Sequence, residues 1–252
     1  MAVSEVRRWP SILGILDKVW AFAHAWWNGC EPELPRIPKS VRNGADETEE
    51  RPTKPDSTVP QMIWGQGFLS PVGEELVSEI VKLMDVDETM TLVEIGAGLG
   101  GASRCMAKTT GVWVTGLEEI PEFADEGMKQ STGAGMARRA PIRHFDPMSP
   151  LDVKDSGAHG VFSRETLFAH PDKLEMLREI RRILRPHGRL ALTDYVITKP
   201  NEADSAVDVW SWSEPKQPCP WTLAQYESQL TEMGFVVRIV EDISPKFVTA
   251  QV

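Results

Sequence analysis

The segment TLVEIGAGLGG, residues 91–101, decides the fold of this chain. Its first half, Thr91–Ile95, is a short apolar run of the kind that forms a buried strand. Its second half is a glycine-rich turn, and Gly101–Thr110 follows as a predicted helix. A strand, a tight glycine turn and a helix together indicate the first unit of an open α/β sheet.

Strands and helices alternate on both sides of this segment. Further strands are predicted at Val112–Leu117, Pro141–His144, Gly160–Ser163, Arg189–Val196 and Phe235–Val240. Further helices are predicted at Pro121–Thr132, Pro171–Leu184 and Thr222–Met233, and Ser70-Pro71 has the cap and first-turn proline of a helix start. This alternation predicts a doubly wound, mostly parallel sheet that binds its ligands at the carboxyl ends of the strands.

The N-terminal quarter has a different composition. Residues 1–28 contain a predicted Trp-rich amphipathic helix, residues 29–60 a flexible linker rich in proline and charge, and residues 61–252 the α/β domain. The helix at 11–28 has three open interpretations: a lid over the site, a contact with a membrane surface, or a dock for a protein partner. Its few Lys and Arg residues favour the lid or the partner over the membrane.

Charge and cysteine content narrow the function classes. The 252 residues carry a net charge of −10, which disfavours binding to nucleic acid. Cys30, Cys105 and Cys219 are scattered and odd in number, so neither a disulfide framework nor a metal site is expected. No export signal or membrane span is recognised, and we expect a cytoplasmic protein, with peripheral membrane association through the N-terminal helix left open.

Acidic residues at the ends of three consecutive strands sharpen the ligand prediction. Glu94 lies just inside the first strand, Glu118 ends the second and Asp146 follows the third. Beside the turn formed by Gly96, Ala97, Gly98 and Gly100, these carboxylates suit an amino-acid ammonium, ribose hydroxyls and an adenine amino group, respectively. The combination predicts S-adenosylmethionine (SAM) as the cofactor, with S-adenosylhomocysteine (SAH) as its product.

The motifs VEIGAGLGG, WVTGLE and SRETLFAHPDKLEMLREIRRILRPHGRLALTDYV resemble the class I SAM-dependent methyltransferases. Over residues 64–247 the chain is more narrowly similar to phosphoethanolamine N-methyltransferases and to glycine/sarcosine/dimethylglycine methyltransferases. The resemblance implies a Rossmann-like, seven-stranded methyltransferase fold. It also implies that Ser70 lines the cofactor pocket, that Glu165 contacts a substrate amine and that Tyr195 lines the acceptor pocket.

Departures from the family pattern bear on the acceptor. The histidine expected four residues after Glu165 is replaced by Ala169, and His170 follows. Pro215, Cys219 and Trp221 stand where the resemblance implies phosphate-binding side chains. Because these three residues offer few donors to a phosphate, phosphoethanolamine is disfavoured as the acceptor.

The expected reaction is methyl transfer to a small molecule, with an amine nitrogen favoured. Glu165, His170 and Tyr195 are the candidate catalytic residues. Candidate substrate contacts are Arg164 and three tryptophans whose faces attract methylated ammonium groups: Trp210, Trp212 and Trp221. Two alternatives stay open: a non-catalytic, partner-binding domain, and O- or C-methylation of a lipid or quinone-type acceptor.

Overall fold

The computed structural model describes residues 57–198, 210–211, 214 and 216–249. The helices are α1 (Thr58–Trp64), α2 (Gly73–Leu83), α3 (Gly101–Thr110), α4 (Pro121–Gly133), α5 (Lys173–Ile183), α6 (Leu223–Glu232) and α7 (Ser244–Thr249), with a 3-10 turn at Leu167–Ala169. The strands are β1 (Thr91–Ile95), β2 (Trp113–Glu118), β3 (Ile142–His144), β4 (Ala158–Arg164) and β5 (Leu184–Thr193).

One parallel sheet organises these elements, in the strand order β3-β2-β1-β4-β5. Strand β1 pairs with β2 on one side and with β4 on the other. The chain therefore builds the sheet outward in one direction from β1 to β3 and in the opposite direction from β4 to β5. A doubly wound sheet opens a crevice at this point, outside the carboxyl ends of its strands. The predicted fold class is therefore confirmed.

Alternating side chains of the central strands feed two cores. Leu92 and Phe162 pack with residues of α2 and α3 on one face of the sheet. Val93 and Val161 pack with residues of α5 and with Tyr226 on the other face. Both faces are covered by helices, which explains why the strands read as apolar runs in the sequence. Ligands of such a sheet bind at the edge formed by the carboxyl ends of its strands.

The predicted strand at 235–240 is wrong. This segment adopts no strand, and Val236 and Ile239 are 81 % and 60 % exposed. Its β-branched residues have the right propensity, but in the described part of the chain no neighbouring strand pairs with it. Pairing and burial, rather than propensity, stabilise a strand. The described residues hold five strands, so the count of seven is not confirmed.

Two predicted boundaries also change. Helix α2 begins at Gly73 after Val72, which has a left-handed backbone (φ 60°), and the Ser70 hydroxyl does not cap it. The segment Arg185–Gly188, predicted to separate helix from strand, is part of β5. There it forms an irregularity: Ala158 pairs with Leu184, and the next pair is Gly160 with Arg189.

The sheet lies in a compact unit that comprises Asp56–Pro200 and Pro218–Glu241. Helix α7 and the described residues around Trp210 belong to a second unit. The predicted N-terminal helix, most of the predicted linker and Trp212 lie outside the described residues, so the proposed division into segments stays a prediction. Among the described helices, none is long and apolar enough to span a membrane.

Candidate functional site

The turn between β1 and α3 has the backbone that its glycines predict. Gly96, Gly98 and Gly100 all have positive φ, at 75°, 54° and 76°. The amides of Gly96 and Ala97 donate to the carbonyl of Leu117 at 2.9 and 3.0 Å, which fixes the turn to the end of β2. A Cβ at Gly98 would meet only Leu69, at 3.3 Å. The turn therefore leaves its backbone open to a ligand at Gly98.

Glu118 lies beside this turn, as predicted for the ribose ligand. Its carboxylate accepts the amide of Gly98 at 2.7 Å and the amide of Ile120 at 2.9 Å. A carboxylate has about four acceptor positions, so it can accept the hydroxyls of a ribose as well as backbone donors. The residue is only 5 % exposed, and its orientation is set by backbone groups. This carboxylate and the Gly98 backbone therefore lie side by side at the carboxyl ends of β1 and β2.

Glu94, the residue predicted to meet the ammonium group, lies in the interior. It is 2 % exposed, and the Ser103 hydroxyl of α3 donates to its Oε2. Burial raises the pKa of Glu94 to about 7, although Ser103 and the nearby Arg164 oppose the shift. The hydrogen bond from Ser103 therefore links the end of β1 to α3. With a pKa of about 7, the Glu94 carboxyl group changes its charge near neutral pH.

Asp146 follows β3 at the same edge but is exposed. It accepts the amide of Met148 at 2.9 Å and the Ser149 hydroxyl at 2.8 Å, and these hydrogen bonds lower its pKa. The Asp146 carboxylate thus stabilises the turn that follows β3. A carboxylate has about four acceptor positions, so it can also accept a hydrogen bond from a purine amino group.

A buried polar cluster joins the ends of β4 and β5 to the segment before α2. We call Ser70, Arg164, Glu165 and Thr193 the Glu165 cluster. The Glu165 carboxylate accepts Ser70 Oγ at 2.9 Å, Thr193 Oγ1 at 2.7 Å and Arg164 Nε at 3.1 Å, and Arg164 Nη2 also donates to Ser70 Oγ. The Arg164 and Glu165 side chains are each 8 % exposed. Three predicted site residues therefore meet here, together with Thr193.

The Glu165 cluster is strained and nearly saturated. Glu165 has φ 44°, a left-handed backbone that costs free energy for a residue with a side chain. Burial raises the pKa of Glu165, and the charge of Arg164 opposes that rise. Among the described residues, Nη1 of Arg164 has no hydrogen-bond partner. The carboxylate is engaged by three donors, whereas Nη1 of the guanidinium is buried without a hydrogen-bond partner among the described residues.

His170 has the properties of a neutral proton acceptor. It is 6 % exposed, and burial lowers its pKa, although the backbone of Pro147 and the charge of Glu119 oppose this shift. Neither ring nitrogen makes a well-formed hydrogen bond within the described part of the chain. A buried imidazole without such bonds is rare, because an unpaired polar group in the interior is costly. The ring is therefore held in the interior beside the backbone of Pro147 and Asp172 without a well-formed hydrogen bond.

Asp194 and Tyr226 contribute to the site without having been predicted as site residues. Asp194 accepts the amide of Phe168 at 3.0 Å and the Tyr226 hydroxyl, and burial raises its pKa to about 6. The Phe168 ring stands edge-on against Tyr195 at 5.1 Å between centroids. Asp194 thus holds the 3-10 turn that leads from Glu165 to His170. Asp194 lies near the end of the quoted motif that closes with TDYV, and this position could have indicated a site residue. Its partner Tyr226 lies 32 residues further along the chain, so the sequence did not reveal the pair.

The predicted aromatic contacts are not all in one place. Trp221 is half-buried, packs on Tyr226 at 5.1 Å, and borders a cavity of about 440 Å³. The other lining residues are Leu174, Ala224, Gln225, Ser228 and Gln229, so Glu165, His170 and Tyr195 do not line it. Trp210 donates its indole N–H to Glu214 at 2.8 Å within the second unit. Among the described residues no cluster of metal-ligating side chains occurs.

Comparison with known proteins identifies a family that the sheet region resembles. Residues 93–192 match the family described as a methyltransferase domain, and this range includes the glycine turn, Glu118, Arg164, Glu165 and His170. This range is similar to a methyltransferase domain and spans less than half of the chain. The resemblance stated from the sequence motifs is confirmed.

Similar proteins carry names from the predicted branch of this superfamily. Phosphoethanolamine N-methyltransferase of Triticum aestivum is 26% identical over 152 residues, or 58% of this chain and 29% of its own. Glycine/sarcosine/dimethylglycine N-methyltransferase of Actinopolyspora halophila is 24% identical over 184 residues, or 71% of this chain and 31% of its own. The matched part of this chain thus spans about a third of the length of these two relatives.

A solved structure shares the fold of the methyltransferase domain. Phosphoethanolamine N-methyltransferase 2 of Haemonchus contortus, solved with S-adenosyl-L-methionine, has a TM-score of 0.68 and 24% sequence identity. The match covers 75% of this chain and 43% of that one. It supports the Rossmann-like architecture independently of the sequence motifs.

Proposed function

We propose that this domain transfers a methyl group from SAM to a small-molecule acceptor, and that the acceptor atom is an amine nitrogen. The observation that carries the proposal is the pairing of the Gly98 amide with the Glu118 carboxylate, at 2.7 Å, at the switch point of the sheet. A glycine backbone beside a carboxylate at the end of the second strand fits a nucleoside, because the carboxylate can accept the ribose hydroxyls.

The cofactor side of the proposed site consists of the turn and the strand ends. Gly98 would lie against the cofactor, and Gly96, Ala97 and Gly100 would shape the turn that presents it. Glu118 would accept hydrogen bonds from the ribose hydroxyls, and Asp146 would accept one from the adenine amino group. Ser70, which the Glu165 cluster holds in place, would line the cofactor pocket. Glu94 would support the turn and act on the ammonium group at most indirectly, because it is buried against Ser103. When bound, SAM supplies an activated methyl group on a sulfonium.

The acceptor side would align a nucleophile and remove a proton. His170 is the best candidate base, because burial lowers its pKa and its ring nitrogens lack well-formed bonds. Glu165 is a weaker candidate, since Ser70, Thr193 and Arg164 already occupy its carboxylate. It would orient Arg164, whose free Nη1 would hold an oxygen of the acceptor. Tyr195 and Trp221 would supply aromatic contacts.

Alignment accounts for most of the expected rate enhancement. Transfer from a sulfonium is an in-line displacement, and correct placement of the two reactants can contribute about 7–11 kcal/mol. The names of the two relatives, both N-methyltransferases, support nitrogen as the acceptor atom. The proline, cysteine and tryptophan at positions 215, 219 and 221 still argue against a phosphorylated amine.

The test is transfer of the radiolabelled methyl group of SAM into pools of amines, alcohols and phenols. Wild-type chain should label the amine pool, and His170→Gln should lower kcat more than KM, because the base acts on the chemical step. His144→Gln is the matched control, since His144 is exposed on β3. Labelling of the alcohol or phenol pool alone would refute the nitrogen assignment. No labelling of any pool, with SAH bound, would refute an enzymatic role toward these acceptors.

A further inference from the structure

Lys173 and Cys219 form a close pair that methyl transfer does not use. Lys173 is the first residue of α5, and Cys219 lies in the segment before α6. The Nζ of Lys173 lies 3.1 Å from the Cys219 sulfur. Lys173 is 2 % exposed, whereas Cys219 is half-buried and reduced. A buried amine therefore contacts the sulfur of a half-buried cysteine.

Backbone contacts hold both side chains in place. Lys173 Nζ donates to the carbonyls of Phe168 at 3.3 Å, His170 at 3.4 Å and Cys219. Cys219 donates its amide to Phe168 O at 2.7 Å and its thiol to His170 O at 3.0 Å. Within the described chain no carboxylate forms an ion pair with Lys173. The nitrogen is therefore directed at carbonyl groups and at the sulfur, without an acid to hold it elsewhere.

Cys105 provides an internal contrast. It is 4 % exposed, and its sulfur contacts the Ser78 hydroxyl, at 3.4 Å, and the Glu74 carbonyl, at 3.6 Å, rather than an amine. The neighbouring Lys108 pairs with the Glu74 carboxylate instead, at 3.7 Å. Burial raises the pKa of the Cys105 thiol, which makes it less reactive. The same chain thus contains a thiol with a fixed amine neighbour and a thiol without one.

We propose that Lys173 and Cys219 are a site of covalent modification, in which hydrogen peroxide converts the pair into a sulfur–nitrogen cross-link. Reacting atoms held about 3–3.5 Å apart are already near the geometry of attack. A sulfenic acid is known to condense with a nitrogen to a sulfenamide, and here the nitrogen is a lysine amine. The proposal does not depend on the methyltransferase activity.

The proposed modification proceeds in two balanced steps. In the first, the Cys219 sulfur attacks one oxygen of hydrogen peroxide, the O–O bond breaks, and the thiol proton leaves with hydroxide as water. The sulfur is oxidised to a sulfenic acid and the peroxide is reduced. In the second, the Lys173 ammonium first releases one proton to solvent, and the resulting amine attacks the sulfur while the S–O bond breaks. The departing hydroxide takes a further proton from the nitrogen to form water.

The experiment is peptide mass mapping of the whole chain after treatment with hydrogen peroxide. We expect a linked pair of peptides that contain Lys173 and Cys219 and are together lighter by two hydrogen atoms. Trypsin should no longer cleave after Lys173, and dithiothreitol should restore both the cleavage and the masses. Cys219→Ser and Lys173→Arg should lose the linked species, while Cys105→Ser should retain it. Thermal melting of each variant establishes that it is folded.

Three outcomes would overturn the proposal. The first is Cys219 recovered only as sulfinic or sulfonic acid, with Lys173 still cleaved by trypsin. The second is a disulfide of Cys219 with Cys30 or Cys105 in place of the nitrogen link. The third is a linked species that persists in folded Lys173→Arg, because another nitrogen would then be the partner.

Discussion

The two halves of the site are built in different ways. The cofactor half, at the ends of β1 and β2, consists of backbone amides and one carboxylate, Glu118, that backbone donors orient. The acceptor half, at the ends of β4 and β5, consists of buried side chains that hold one another, as in the Glu165 cluster. A site built from backbone amides tolerates replacement of nearby side chains. A site built from side chains that bond one another loses its arrangement when one of them is replaced.

The largest effect is expected from removal of the Glu165 carboxylate. Glu165→Ala leaves Arg164 buried without its carboxylate, and breaking a buried pair costs about 3–5 kcal/mol. The measurement is the free energy of unfolding in urea. The control is Glu175→Ala, which breaks the exposed pair with Arg178 and should cost at most about 0.5 kcal/mol. Equal losses in the two variants would mean that the acceptor half does not depend on the buried pair.

The pH dependence of stability should report Glu94. Its folded pKa of about 7 lies above the ordinary 4.5, so the folded chain binds this proton more tightly than the unfolded chain. Stability should therefore fall as pH rises from about 4.5 to about 7, by roughly 2–3 kcal/mol from this group. Melting at several pH values measures it, and Glu94→Gln should flatten this part of the profile. A profile unchanged by that substitution would contradict the raised pKa.

A methyl group at Gly98 should abolish most cofactor binding. Gly98→Ala places a Cβ where the cofactor would approach the turn, and we expect SAH affinity to fall roughly 100-fold, or about 2.7 kcal/mol. Calorimetry with SAH measures it. Gly135→Ala is the matched control, because Gly135 has a similar φ of 71° and no heavy atom within 4 Å of the added Cβ. Equal affinity in the two variants would place the cofactor elsewhere.

The smallest effect is expected from neutralising Glu118. Glu118→Gln removes the charge and puts an amide NH₂ where one acceptor oxygen was, so the bond to Gly98 or Ile120 is lost. Loss of one charge-assisted bond should weaken SAH binding by about 1.5–3 kcal/mol, with the lower end favoured because one acceptor remains. Glu88→Gln, at an exposed residue, should leave the affinity unchanged. If Glu118→Gln failed to fold, the main role of Glu118 would be to stabilise the fold rather than to bind the cofactor.

Prediction from the sequence succeeded where the signal is local. Thr91–Ile95 and Gly101–Thr110 have the predicted bounds, because one short apolar run and one glycine turn determine them. It failed at residues 235–240, where propensity was right but pairing is absent among the described residues. It also failed at Ser70, whose hydroxyl bonds Glu165, 95 residues away, instead of capping α2. A local pattern contains no information about such a distant partner.

The sequence by itself determined the parallel α/β fold, the glycine turn and the type of cofactor, because these depend on neighbours in the chain and on backbone conformation. Only the tertiary structure decided which carboxylates are free to act. Glu165 and Asp194 accept hydrogen bonds from residues of other elements, while the buried His170 ring makes no well-formed hydrogen bond among the described residues. The physical reason is that burial and hydrogen bonding set the charge and availability of a side chain, and both arise from residues that are far apart in the chain.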